Sequence, residues 1–126
     1  LRAGADGVQM ATRFIATDEC DASDGFKQAF IHASKDDLML IKSPVGMPAR
    51  ALSTPFLKKH QPITKCFGCI QSCHMTNASY CITEALINAV NGHIDEGIVF
   101  SGTNGYRLDK IVSVKTLIDE LMEGIV

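Results

Sequence analysis

Three observations predict an α/β fold. A short apolar stretch, Val8-Gln9-Met10, follows a Gly4 to Gly7 turn and ends in the small or polar residues Ala11 and Thr12, as a strand does. A helix follows it, because Asp24 or Ser23 can cap a segment in which Phe26, Ala29, Phe30 and Ala33 recur on one face. Strand, loop and helix in that order make a β/α unit. The third observation is a second alternation later in the chain, where the apolar run Leu38 to Ile41 has strand length and two helical patterns follow it.

The remaining elements follow in order. Ser43-Pro44 closes the run at Leu38 to Ile41, and Pro44, Pro48 and Pro55 argue against a long regular element in "VGMPARALSTP". Ile82, Ala85, Leu86, Ala89 and Val90 recur at helical spacing, and Asn91-Gly92 supplies a stop. Ile98-Val99-Phe100 is a short apolar run that ends in the turn-rich "SGTNGYR". Ser113 can cap a last helix with Val114, Leu117, Ile118, Leu121 and Met122 on one stripe. Glu120 and Glu123 oppose the dipole in its final turn, so that end is expected to fray. No internal repeat or low-complexity tract interrupts the pattern.

Composition narrows the function classes. With 126 residues and 46% hydrophobic content the chain has enough apolar material for one packed core. Its 12 basic and 14 acidic residues are interspersed, which argues against nucleic acid as a partner. The one basic run, Lys58-Lys59-His60, reads as a solvated loop. No apolar run approaches the roughly 20 residues that span a bilayer, and no secretory leader opens the chain, so a soluble, cytoplasmic protein is expected. Leu1 opens the chain without an initiator Met and leads almost at once into a turn and a strand, as an interior segment would. The expectation is a C-terminal piece of a longer protein.

The first chemical constellation is "GADGVQMATRF", residues 4 to 14. Free backbone N–H groups after a strand, ahead of a helix, favour an anion such as phosphate. Taken alone, the same residues fit a buried strand with an ordinary turn. "GADGVQMATRFIATDEC" resembles the last barrel strand of the nitronate monooxygenase family, which also includes flavin-dependent enoyl-acyl-carrier-protein reductases. Every position from Gly4 to Phe14 agrees with the family pattern except Ala11, where the family carries Gly. "SPVGMPARAL" is similar to the Gly-x-Pro-Ala-Arg segment after the family's last barrel helix. "YCITEALINAVNG" and "GIVFSGTNGYRLDKIVSVKTLIDEL" resemble the C-terminal tail of a subgroup of it.

The resemblance implies an α/β chain that forms the C-terminal fragment of a (β/α)8 TIM barrel, its last strand and helix, followed by a Cys-rich, mostly helical extension. Residues 1–57 would be the last β/α unit and its return segment, and residues 58–126 the Cys-rich loop and C-terminal helices. It further implies FMN as cofactor, with Gln9, Met10, Ala11 and Thr12 lining its phosphate mostly through backbone amides and the Thr12 hydroxyl as an extra donor. If Ala11 had to adopt a positive φ, it would be unfavourable there. Arg13 could reach the phosphate or serve as a structural ion-pair partner.

The implied activity is oxidation of alkyl nitronates by oxygen, with enoyl-thioester reduction as the alternative. The partners would be a small-molecule substrate and the rest of the barrel upstream. The family's catalytic histidine also lies upstream. His32, His60, His74 and His93 match no family motif, so no catalytic residue is assigned and the piece alone is not expected to be active.

The second constellation is "TKCFGCIQSCHMTNASYC", residues 64 to 81. Cys66, Cys69, Cys73 and Cys81 offer four soft ligands at short spacing, which suits an iron–sulfur cluster or tetrahedral zinc. Three close cysteines and a fourth resemble the cluster segment that follows the flavin barrel in dienoyl-CoA reductases, so iron–sulfur is weighed ahead of zinc. An iron–sulfur or zinc-binding module is therefore the reading from another class, and free or transiently oxidised thiols are the simpler alternative. Cys20 reads as a small buried apolar residue.

Overall fold

The computed structural model describes residues 3–59, 63, 66, 68–73 and 78–123. It is an α/β chain built around an antiparallel hairpin with short helices packed against it. A four-residue helix α1, Thr12–Ile15, comes first. Helix α2, Asp24–Ile31, begins where the capping signal predicts, with the Ser23 hydroxyl accepting from the Phe26 N–H at 3.3 Å. Its apolar face carries Phe30, fully buried, with Phe26 edge-on at 5.6 Å between ring centroids.

Strand β1, Leu38–Lys42, pairs antiparallel with β2, Pro48–Leu52, in a register that sets Leu38 opposite Leu52 and Lys42 opposite Pro48. The prolines do not keep β2 from forming. Pro48 opens the strand, a position that tolerates its missing N–H, and Gly46 at φ +86° makes the turn. The apolar run at 98–100 adds to the far side of β2: Ala51 and Phe100 form an antiparallel bridge, and the Leu52 N–H donates to the Val99 carbonyl at 2.9 Å.

After the short helix α3, Pro55–Lys58, and the Cys-rich stretch, helix α4 spans Ile82–Val90. Ile82, Ala85 and Ala89 are buried, whereas Leu86 and Val90, placed on the same apolar face by periodicity, are exposed. The narrower buried stripe follows from what lies against the helix. The Ile98 N–H donates to the Ala85 carbonyl at 3.0 Å, and Gly97 lies so close that a Cβ there would be 2.5 Å from the Ala89 backbone nitrogen. Asn91-Gly92 ends the helix as expected, with Gly92 at φ +95°.

Helix α5, Val114–Glu123, has the predicted Ser113 cap, whose hydroxyl accepts from the Thr116 N–H at 3.1 Å. A second acceptor, the Glu19 carboxylate, lies 2.8 Å from the Val114 N–H. Such a carboxylate complements the positive end of the helix dipole. Glu120 is engaged by Arg13 and Lys110, each at 3.3 Å, which offsets its unfavourable place in the last turns.

Two buried clusters hold these elements together. One joins Ala16, Phe30 and Leu52 to Ala89, Val99 and Leu108, and the other joins Ala51 and Phe56 to Tyr80, Ile82, Ala85 and Ile98. Both draw on residues from either side of the expected 1–57 and 58–126 division. The packing runs across the line between residues 57 and 58.

The predicted strand at Val8-Gln9-Met10 is not formed. Residues 7–10 have no ladder partner among the described residues, and Val8 and Met10 are 71% and 40% exposed. Strands are stabilised by neighbours, and an unpaired segment has none. Among the described residues, no helix is long and apolar enough to cross a membrane.

Candidate functional site

The anion-binding expectation falls on a segment with unspent donors. The amides of Gln9, Met10, Ala11 and Thr12 donate to no acceptor among the described residues, and the segment runs directly into α1. Gln9, Met10 and Ala11 are exposed, and Thr12 is half-buried. Backbone amides left free in this way are matched by an anion with several oxygens. Ala11 has φ −127°, so the side chain that replaces the family's Gly imposes no left-handed strain.

The Thr12 side chain is held from an unexpected direction. Its hydroxyl was expected only as a donor, but it accepts from the Gly102 N–H at 3.2 Å. The contact brings "SGTNGYR" beside residues 9–12, although the two segments lie far apart in sequence. The Thr103 hydroxyl in turn accepts from the Arg50 guanidinium at 2.8 Å. In the sequence this loop could present Asn104, Tyr106 and Arg107 to a ligand, with turn-forming and packing roles the simpler expectation, and Arg50 carries no signal. The structure also shows turn and packing roles, in a single helical turn at Gly105–Arg107 and a buried Gly105. Arg13 takes the structural alternative. It pairs with Glu120 at 3.3 Å, and its second terminal nitrogen is buried with no partner among the described residues.

The cysteines lie at the start of α4. Cys81 is its N-cap residue, Cys69 places its sulfur 3.2 Å from the Thr83 hydroxyl, and the Gly68 N–H donates to the Cys66 sulfur at 3.4 Å. Desolvation raises the Cys73 thiol above its ordinary range, and the neighbouring charges of Cys66, Cys81 and Cys69 push the same way. The four thiols therefore share one neighbourhood. They do not form a ligand set: among the described residues no group of three or more His, Cys, Asp or Glu could hold a metal ion. The expected iron–sulfur or zinc centre at Cys66, Cys69, Cys73 and Cys81 gains no support from this arrangement. Cys66 and Cys69 are exposed, and Cys73 and Cys81 are half-buried. All five cysteines are free, and Cys20 is half-buried where full burial was expected. His32 and His93 are exposed, and His60 and His74 lie outside the described residues.

Fold and site define a class: an α/β chain that presents a run of free backbone amides beside a hydroxyl at the edge of its packed interior. A family model described as nitronate monooxygenase matches residues 1–124, and the chain belongs to that family. It is 38% identical over 56 residues to a probable nitronate monooxygenase from Staphylococcus saprophyticus, a match covering 44% of this chain and 16% of that protein. It is 40% identical over 55 residues to a putative nitronate monooxygenase from Saccharomyces cerevisiae, covering 44% of this chain and 13% of that one. Among solved structures, FabK from Thermotoga maritima superposes with a TM-score of 0.75 at 31% identity, over 97% of this chain and 37% of that one. The chain thus spans little more than a third of the FabK chain and less of the curated relatives.

Proposed function

We propose that the chain is the C-terminal part of a (β/α)8 flavoprotein, an FMN-dependent oxidoreductase of the nitronate monooxygenase type, and that it contributes the cofactor's phosphate site. The run of unpartnered amides at Gln9, Met10, Ala11 and Thr12 carries this reading. These amides fit a phosphate because each offers an N–H with no competing acceptor among the described residues, and no positive φ is needed at Ala11. Upstream barrel strands would pair with residues 8–10 and turn the exposed Val8 and Met10 inward, which accounts for their exposure here.

When bound, FMN would supply the redox chemistry, accepting electrons from a small nitronate anion and returning them to dioxygen. This chain's residues bind and orient. The amides of 9–12 and the Thr12 hydroxyl fix the phosphate end, and the packed hairpin and α4 behind them hold that edge in place. A base that takes the α-proton of a neutral nitroalkane, forming that nitronate, would belong to the upstream part, so this chain alone is expected to have no turnover.

A second reading, an FMN-dependent enoyl-thioester reductase, is favoured by the superposition on FabK over nearly the whole chain. Anaerobic mixing of the full-length flavoprotein with NADH or NADPH separates the two. The monooxygenase reading expects slow flavin bleaching by nicotinamide and rapid oxygen uptake with an alkyl nitronate. Rapid bleaching with no nitronate-dependent oxygen uptake would replace it with the reductase.

A further inference from the structure

We infer that the loop at Ser101 to Asn104, clamped by Arg50, is a positioning device for the phosphate end of the flavin site, and that the chain Arg50, Thr103, Gly102, Thr12 sets the preference for a phosphorylated flavin. The inference rests on the phosphate reading above and adds a part of the molecule that the reading does not use.

Three observations carry it. The Gly102 N–H fills one lone pair of the Thr12 hydroxyl at 3.2 Å, while the hydroxyl proton donates to no acceptor among the described residues. A hydroxyl that accepts on one side is polarised to donate more strongly on the other, so the contact aims and strengthens the donor Thr12 offers an anion. Next, Gly102 is fitted to this approach: a Cβ there would stand 3.0 Å from the Thr12 hydroxyl oxygen. Finally, Arg50 holds the adjacent residue through Thr103 at 2.8 Å and forms no ion pair within 4.0 Å among the described residues. Its charge is therefore not spent on a carboxylate. It pins the loop through Thr103.

Arg50 and Thr103 are thus positioning residues. They act on the cofactor through Gly102 and Thr12 and have no part in the reacting atoms.

The test uses the full-length protein stripped of flavin, with FMN and riboflavin titrated separately by quenching of flavin fluorescence. Wild type is expected to bind FMN more tightly than riboflavin. Thr103→Val and Arg50→Gln are each expected to weaken FMN by about 5- to 15-fold while leaving riboflavin unchanged. The double variant is expected to be no weaker than the worse single one, since both break the same chain. Arg50→Lys, which can still donate to Thr103, is expected to recover most of the loss.

Equal weakening of both flavins would show a structural role only and overturn the inference, as would no change in either. Unfolding of Arg50→Gln would leave Thr103→Val, an isosteric change at an exposed residue, to decide the matter. If wild type shows no preference for FMN over riboflavin, the phosphate reading falls and takes the inference with it. If wild type keeps that preference and Thr103→Val does not alter it, only the inference falls.

Discussion

Asp37 shows how much of the local structure a single side chain can hold. Its carboxylate accepts from the Ser34 hydroxyl at 2.7 Å and the Ser34 N–H at 2.8 Å, closing the turn that leads into β1. The hydroxyl bond, and after it the backbone bond, hold its carboxyl below the usual carboxylate range. A lowered folded value means that the contribution is present above the ordinary value near 3.9 and is lost as pH falls through the folded one. Asp37→Asn should therefore flatten the acid limb of a stability-versus-pH curve measured by denaturant unfolding. Tyr80 predicts the opposite kind of change. It is buried against Phe56 at 5.2 Å, and its hydroxyl has no partner among the described residues. Tyr80→Phe should leave stability unchanged or raise it by about 1 kcal/mol, because the desolvation cost of an unpaired hydroxyl disappears. The Ser23 and Ser113 caps could be sought in the sequence because each acts on the residue three positions on. The Tyr80 orphan could not, because it depends on what the fold sets around the ring.

Among the elements, α4 and the run at 98–100 depend on one small residue. Gly97→Ala would drive a methyl into the Ala89 backbone and should cost about 1–3 kcal/mol in a chemical-denaturation experiment. The same junction explains why periodicity identified α4 but misjudged its buried face. Spacing reports that Ile82, Ala85, Leu86, Ala89 and Val90 share a stripe, whereas the neighbours that cover the stripe come from distant sequence. The hairpin follows the same logic. β1 was legible as an apolar run of strand length, but β2 was hidden because prolines suggested irregularity and its partner had to be known before Pro48 could be placed at a harmless end. For the cysteines, spacing suggested a shared role, whereas exposure depends on the fold: Cys66 and Cys69 are exposed and Cys73 is half-buried. Timed alkylation followed by mass mapping should modify Cys66 and Cys69 first. Cys73 should lag until the pH exceeds the ordinary thiol range, the direction its raised value dictates. A metal held by all four would protect them together and contradict this order.

At the scale of the whole molecule, the N-terminal segment is tied to the C-terminal half by a few long-range contacts. Glu19 caps α5, Arg13 pairs with Glu120, Thr17 bridges Val112 and Thr12 meets Gly102. None has a local signature. The segment proposed to hold phosphate could be singled out because its amides, and the family pattern around them, lie in one continuous run. What surrounds it was not legible: the loop that grips Thr12 comes from 90 residues further along the chain. The unformed strand at 8–10 belongs here too, since in the proposed barrel its ladder partners would lie upstream. One measurement reaches the central claim most directly, a crystal structure of the full-length protein with FMN. Phosphate oxygens are expected within about 3 Å of the amide nitrogens of the 9–12 segment and of the Thr12 hydroxyl, with residues 8–10 paired as a strand. A phosphate bound elsewhere, with those amides still facing water, would contradict the account.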